Sequence, residues 1–110
     1  MTKERGDLLQ GTLDMLVLRA LDLEPMHGWG ITERIEQWSE NILRLGQGTL
    51  YPALYRLERR GLIEADWGTS ELGRKAKFYR ITPKGRRQLA ADTAQWARFA
   101  TAVSKVLLPA

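Results

Sequence analysis

Seven cations stand between Arg74 and Arg87 with no carboxylate among them: Arg74, Lys75, Lys77, Arg80, Lys84, Arg86 and Arg87. The stretch just before, residues 62–73, carries only acids: Glu64, Asp66 and Glu71. A solvated surface ordinarily mixes the two signs. A block of one sign sets up a local field, and a positive block is suited to binding phosphate. The whole chain leans the same way, with 17 Lys and Arg against 13 Asp and Glu, a net charge of +4 and a pI near 9.8. A pI above about 9 fits a nucleic-acid partner.

Other chemistries find little footing. There is no cysteine, hence no disulfide, thiolate nucleophile or cysteine-based zinc site. The single histidine, His27, precedes Gly28 with no partner motif around it. A structural hydrogen bond is its expected role. No nucleophile–base pair, metal cluster or glycine-rich phosphate loop is recognisable, so an enzyme is rejected and no metal or cofactor is expected. The 110 residues suit one domain, with 44% hydrophobic residues to build its core. Residues 1–7 are charged, and no apolar run approaches the roughly 18 residues of a membrane span. A soluble, cytoplasmic protein without a membrane partner is expected.

The elements that must position the cations follow from periodicity. Residues 9–23 hold Leu13, Leu16, Val17, Ala20 and Leu21 at helical spacing, with Met15 and Leu18 off that stripe. Such a helix is buried on two sides, in the core or against a second subunit. Gly11 or Thr12 is the expected cap, with Asp14 in the first turn. A turn is expected over residues 24–28. Residues 30–40 read as a short amphipathic helix burying Ile31, Ile35 and Trp38. Gly46 and Gly48 break the connection that follows. Residues 49–60 read as a third helix with Leu50, Leu54 and Leu57 inward. Pro52 requires the helix to start near Gly48 or Thr49, and Gly61 stops it. Its other face carries Thr49, Tyr51, Tyr55, Arg56 and Arg59.

A hairpin comes next. Residues 62–67 and 77–81 are strand candidates around a loop over residues 68–76 whose far side is basic. Trp29, Trp38 and Trp67 are read as packing residues, Trp67 tying the hairpin to the body. Thr82-Pro83 then opens a helix, a capping threonine with proline at the first helical position, running to about Leu107. Leu89, Thr93, Trp96, Ala100, Val103 and Leu107 alternate steps of four and three, a heptad seam, and Phe99 and Val106 flank it. A helix of roughly 25 residues spans about 37 Å, more than so small a domain can cover. The simplest partner for the overhang is a second copy.

Three helices, a hairpin and a fourth helix give a mainly α fold, a winged helix-turn-helix. Residues 1–82 form the expected DNA-binding domain and residues 83–110 the C-terminal dimerisation helix. In that layout a helix enters the major groove of B-DNA and a basic hairpin lies beside it on phosphates or in the minor groove. The third helix supplies the polar aromatic face, and Arg74, Lys75 and Lys77 the wing.

The motifs sharpen this. Gly48-Thr49-Leu50-Tyr51-Pro52-Ala53-Leu54-Tyr55-Arg56-Leu57-Glu58, Gly61-Leu62-Ile63 and Arg74-Lys75-Ala76-Lys77-Phe78-Tyr79-Arg80-Ile81-Thr82 resemble the PadR family of bacterial transcriptional regulators. Leu9-Gln10-Gly11-Thr12-Leu13-Asp14-Met15-Leu16 and His27-Gly28-Trp29-Gly30-Ile31 resemble the start of the same family. The resemblance covers about residues 8–104. It implies a homodimeric DNA-binding repressor of the short subgroup, with a single C-terminal helix for dimerisation. By similarity Thr49, Tyr51 and Tyr55 approach DNA from the recognition helix at residues 49–60, with Gln47 just before it, and Arg74, Lys75 and Lys77 are the wing contacts; Arg56 completes the expected DNA-binding set. Leu13, Leu16, Leu89, Trp96, Phe99 and Val103 form the implied dimer interface. In some members resembling this subgroup a tryptophan on the last helix stacks on flat, drug-like ligands, and Trp96 stands where that residue would be. The implied partners are a palindromic duplex, a second copy and a flat aromatic effector. The competing reading is a winged-helix protein-interaction module, in which the aromatic helix face binds protein and DNA affinity is absent.

Overall fold

A computed structural model describes residues 2–108, with side chains from Gly11 onward. In order, the elements are α1 (Thr2–Leu21), β1 (Met26–His27), α2 (Gly28–Trp38), α3 (Gln47–Arg59), β2 (Ile63–Thr69), β3 (Lys75–Ile81) and α4 (Pro83–Leu107). The expected winged helix-turn-helix with a long last helix is the architecture found. The core is drawn from every layer: Val17, Leu18 and Leu21 of α1, Ile31 and Ile35 of α2, Leu50, Leu54 and Leu57 of α3, and Ile63, Tyr79 and Ile81 of the sheet. Burying each of the larger aliphatic side chains stabilises the fold by about 1.5–3 kcal/mol before entropy is counted. α1 is enclosed as its two-sided pattern requires, since Leu18 is as buried as the main stripe.

Several boundaries differ from the sequence reading. α1 begins at Thr2 and passes through Gly11 and Thr12, so neither caps it. A glycine in a helix interior costs only about 1 kcal/mol, which the packed turns after it easily outweigh. Asp14 is therefore far from the helix start, and its carboxylate accepts from Arg56 instead. The turn expected at residues 24–28 contains β1, where Met26 pairs with Tyr79 and His27 with Phe78. The sheet thus has three strands in the order β1-β3-β2. α3 starts at Gln47 with Gly46 as its N-cap, two residues ahead of the expected start. Pro52 consequently lies past the first turn. It withholds the N–H that Gly48 would receive, but this side of α3 is exposed and water can serve that carbonyl.

Chain ends of the helices are set by local chemistry. His27 caps α2, its Nδ1 accepting from the Gly30 N–H at 3.1 Å, which is the structural role expected of it. At the end of α3, Leu62 N–H donates to Leu57 and Gly61 N–H to Glu58, each at 3.0 Å. Gly61 takes φ +74. This is a Schellman close, and it needs a residue free of the left-handed penalty. Thr82 caps α4 by accepting from Gly85 N–H at 3.0 Å. Its hydroxyl donates in turn to the Gly61 carbonyl at 2.8 Å. One threonine thereby ties the end of α3 to the start of α4.

Candidate nucleic-acid interface

α2, the connection after it and α3 form the helix-turn-helix, and α3 is held by its leucines. With Leu50, Ala53, Leu54 and Leu57 all buried, the residues between them must face outward. Gln47, Thr49, Tyr51, Tyr55 and Arg59 are accordingly exposed. Arg59 lies across Tyr55, with its guanidinium 5.6 Å from the ring centroid and a hydrogen bond of 3.1 Å to the hydroxyl. Arg56 departs from its expected place in this group. It donates to Asp14 on α1 at 2.8 Å, in a half-buried pair that braces α3 against α1.

Tyr51 is positioned by a glycine. It is 48% exposed, yet a Cβ on Gly28 would meet its hydroxyl oxygen at 2.7 Å and its ring at 3.1 Å. The phenol therefore rests on the first residue of α2, in a notch that only glycine leaves open. Beneath it, Tyr79 is raised above the ordinary tyrosine pKa by burial first, then by Tyr51 and Glu58. Gly28→Ala pushes the end of the Tyr51 side chain aside while leaving the backbone unstrained. Stability is expected to change by less than about 1 kcal/mol in thermal unfolding. Affinity for a specific duplex should fall severalfold with an unchanged salt slope, because no charge is removed.

The wing is longer and tighter than its sequence suggested. β2 and β3 pair from Ile63–Ile81 out to Thr69–Lys75, leaving a loop over residues 70–74. There Ser70 N–H donates to the Arg74 carbonyl at 2.8 Å, and Gly73 turns the chain at φ +76. Paired residues share a face. Ile63, Ala65, Trp67 and Thr69 therefore lie with Ile81, Tyr79, Lys77 and Lys75 on the face that carries the core. Glu64, Asp66 and Gly68 lie with Arg80, Phe78 and Ala76 on the other.

Charge is distributed unequally over these faces. On the outer face Arg80 is bound by Asp66 and Glu64, whose charges and hydrogen bonds raise its pKa, Asp66 foremost. Lys77 reaches Glu58 of α3 at 3.9 Å, Lys84 donates to the Arg60 carbonyl at 2.9 Å, and Arg86 meets Asp22 at 3.2 Å. Among the described residues, no carboxylate pairs with Arg74 or Lys75. Within the wing the cations thus resolve into Lys77 and Arg80, each beside a carboxylate, and a tip with Arg74 and Lys75, which have none among the described residues. Glu71 and Leu72 share that tip and are exposed.

The tryptophans are not packed as expected. Trp29, Trp38 and Trp67 are exposed by 63%, 51% and 65%. Trp38 ends α2, one turn past the last buried residue of its stripe, and Arg34 lies over its ring at 5.5 Å. Trp67 sits beyond the last core pair of β2, so it does not anchor the wing to the body. Of the expected dimer residues, Leu13 and Leu89 are buried within the single chain's own core, and Leu16 packs against that core. Trp96, Phe99 and Val103 remain exposed along α4. Gly28 and Gly85 were missed as positioning residues; only their place beside a helix start hinted at them.

An exposed second helix in a helix-turn-helix, flanked by a wing with an unpaired basic tip, defines a winged-helix transcriptional regulator. Residues 17–91 match the transcriptional regulator PadR-like family, and the chain belongs to that family. An uncharacterized protein of Lysinibacillus sphaericus is 34% identical over 93 residues, covering 84% of this chain and 85% of its own. A transcriptional regulator of Mycobacterium tuberculosis is 39% identical over 67 residues, 61% of this chain and 59% of its own. A crystal structure of a PadR-like transcriptional regulator from Bacillus cereus superposes with a TM-score of 0.79 at 29% identity, covering 94% of this chain and 99% of that one. Members of the family are regulators of transcription, not enzymes. Among the described residues no helix is long and apolar enough to cross a membrane.

Proposed function

We propose that the protein is a homodimeric repressor that occupies a palindromic operator. Residues 1–82 read DNA and residues 83–110 pair two copies. α3 enters the major groove with Gln47, Thr49, Tyr51 and Tyr55 toward the base edges. The wing lies on the flanking backbone through Arg74 and Lys75, with Lys77 shared between phosphate and Glu58. The observation that carries this reading is that Lys77, which shares a wing face with the unpaired Lys75, reaches Glu58 of α3, bringing that face beside the leucine-free side of the helix. Occupancy of a promoter suffices for repression. Two recognition helices about one helical turn of DNA apart, roughly 34–36 Å, would read the two half-sites. Trp96, 5.9 Å from Phe99 between ring centroids, offers the paired molecule a stacking surface for a flat aromatic effector. Such a ligand would act by favouring a dimer geometry of the wrong spacing.

Fluorescence anisotropy tests this directly, on a duplex from the upstream region of the protein's own gene against a scrambled duplex across a salt series. Tight binding to the first alone, with log affinity falling linearly in log salt, is expected. Lys75→Ala should flatten the slope by about 0.9, the signature of one lost phosphate contact. Failure to bind either duplex at low salt would overturn the reading in favour of a protein-interaction module.

A further inference from the structure

Trp67 is left unexplained by everything above. An indole is a large apolar surface that folded chains normally cover, yet this one is 65% exposed. It lies on the core-bearing face of the sheet, past the last residue the core reaches. Its register partner is Lys77, which bridges to Glu58 on α3. The diagonal neighbour is Lys75, whose ammonium stands 5.2 Å above the ring centroid. The opposite face of the wing at this level is closed off, since Phe78 lies against Gly68 so closely that a Cβ there would touch it at 3.0 Å. The indole is therefore presented on the side of the wing that adjoins α3, with a lysine held over it.

We propose that Trp67 and Lys75 act as one unit against the sugar–phosphate backbone of duplex DNA. The ammonium takes a phosphate oxygen, and the indole covers the adjoining deoxyribose. Charge decides the occupant. The outer face is neutralised at Arg80 by Glu64 and Asp66, whereas Lys75 over Trp67 and Arg74, its neighbour in the chain, have no carboxylate among the described residues. A polyanion with apolar sugars between its charges matches a cation set on an aromatic surface. The ring also holds Lys75 close to its working position by the attraction between ammonium and π-face, so less side-chain freedom is lost on binding. This inference rests on the DNA-binding reading above.

The test compares wild type, Trp67→Phe, Trp67→Ala and Lys75→Ala on the upstream and scrambled duplexes over the same salt series. Trp67→Ala should weaken binding to both duplexes by about five- to tenfold, the scale of one lost half-buried aromatic contact. Its salt slope should match wild type, because no charge is removed, while Lys75→Ala flattens the slope. Trp67→Phe keeps an aromatic face and should lose no more than about threefold. Acrylamide quenching supplies a second readout, one that a purely structural role would not move. The Trp67 contribution, taken as wild type minus Trp67→Phe, should be readily quenched in the free protein and shielded once duplex is bound. Trp67→Ala binding as wild type, or Trp67 emission still open to acrylamide in the complex, would overturn the proposal with the DNA-binding reading intact. Failure of wild type to bind any duplex would remove that reading and this proposal together.

Discussion

Gly85→Ala should unfold the protein at temperatures the wild type tolerates. A Cβ at this position would lie 2.1 Å from the Leu62 carbonyl oxygen and 2.8 Å from the Ile81 side chain. The first of these is backbone and cannot rotate away. The same carbonyl accepts the Thr82 N–H at 3.0 Å, so moving it breaks the bond that seats the start of α4 on the start of β2. Relief requires α4 to lift off the sheet, which uncovers Leu89 and Ile81 together. Overpacking typically costs about 1–3 kcal/mol when side chains can adjust. With a backbone obstacle and a cap at stake we expect about 3 kcal/mol or more, roughly a 12–20 °C fall in Tm for a domain of this size. The measurement is thermal unfolding followed by circular dichroism. Gly11→Ala is the matched control. That glycine is exposed within α1 and has nothing within 4 Å of the position its Cβ would take. Alanine there should stabilise by about 0.5–1 kcal/mol through helix propensity. Equal Tm values for the two variants would refute the close approach of α4 to Leu62.

The contrast between these glycines shows what a sequence can and cannot disclose. Periodicity and punctuation are local, and they were legible. The leucines at 50, 54 and 57 define the inward face of α3 whatever surrounds it. Thr82-Pro83 marks the start of α4 because the cap is completed within three residues, at Gly85. Long-range contacts are not written in spacing. Gly85 matters because of a carbonyl met only after the sheet has formed, and Gly28 because of a tyrosine on the next helix. Arg56 sits on α3 with the same apparent freedom as Arg59, yet a carboxylate 42 residues earlier in the chain draws it away from the exposed face. β1 carries no strand signal in the sequence because two residues show no alternation, and only the free edge of β3 makes a strand of them. The tryptophans misled through their hydrophobicity. Burial depends on where the core ends, and Trp67 and Trp38 lie just beyond it. For the candidate interface, the cationic block was visible, but which of its members are free depends on the register that places Asp66 and Glu64 beside Arg80.

Placing lysines on the distal half of α4, as in a Phe99→Lys/Val103→Lys double variant, should abolish pairing and with it nearly all operator affinity. α4 has 25 residues, about 37 Å at 1.5 Å per residue. Leu89 is its last buried residue. Past it Trp96, Phe99, Val103, Val106 and Leu107 stand in water, a run of apolar surface of the kind that monomers rarely expose without a partner. Within one chain these side chains lie outside the core, so their replacement should leave the Tm of the body close to wild type apart from the loss of pairing. Two buried ammonium groups in each copy, four across a two-fold interface, would cost far more than the seam can supply. The consequence for DNA follows from valency. A dimer seated on one half-site places its second α3 beside the other at an effective concentration near millimolar, worth about 10²–10⁴ in overall affinity. Sedimentation should therefore show a monomer, and affinity for the palindrome should drop by about 10²–10³. Affinity for a single half-site should stay as it was, because neither α3 nor the wing has changed. A variant that remains dimeric would move the pairing surface elsewhere. One that becomes monomeric yet binds the palindrome as tightly as before would show that each chain reads its site alone.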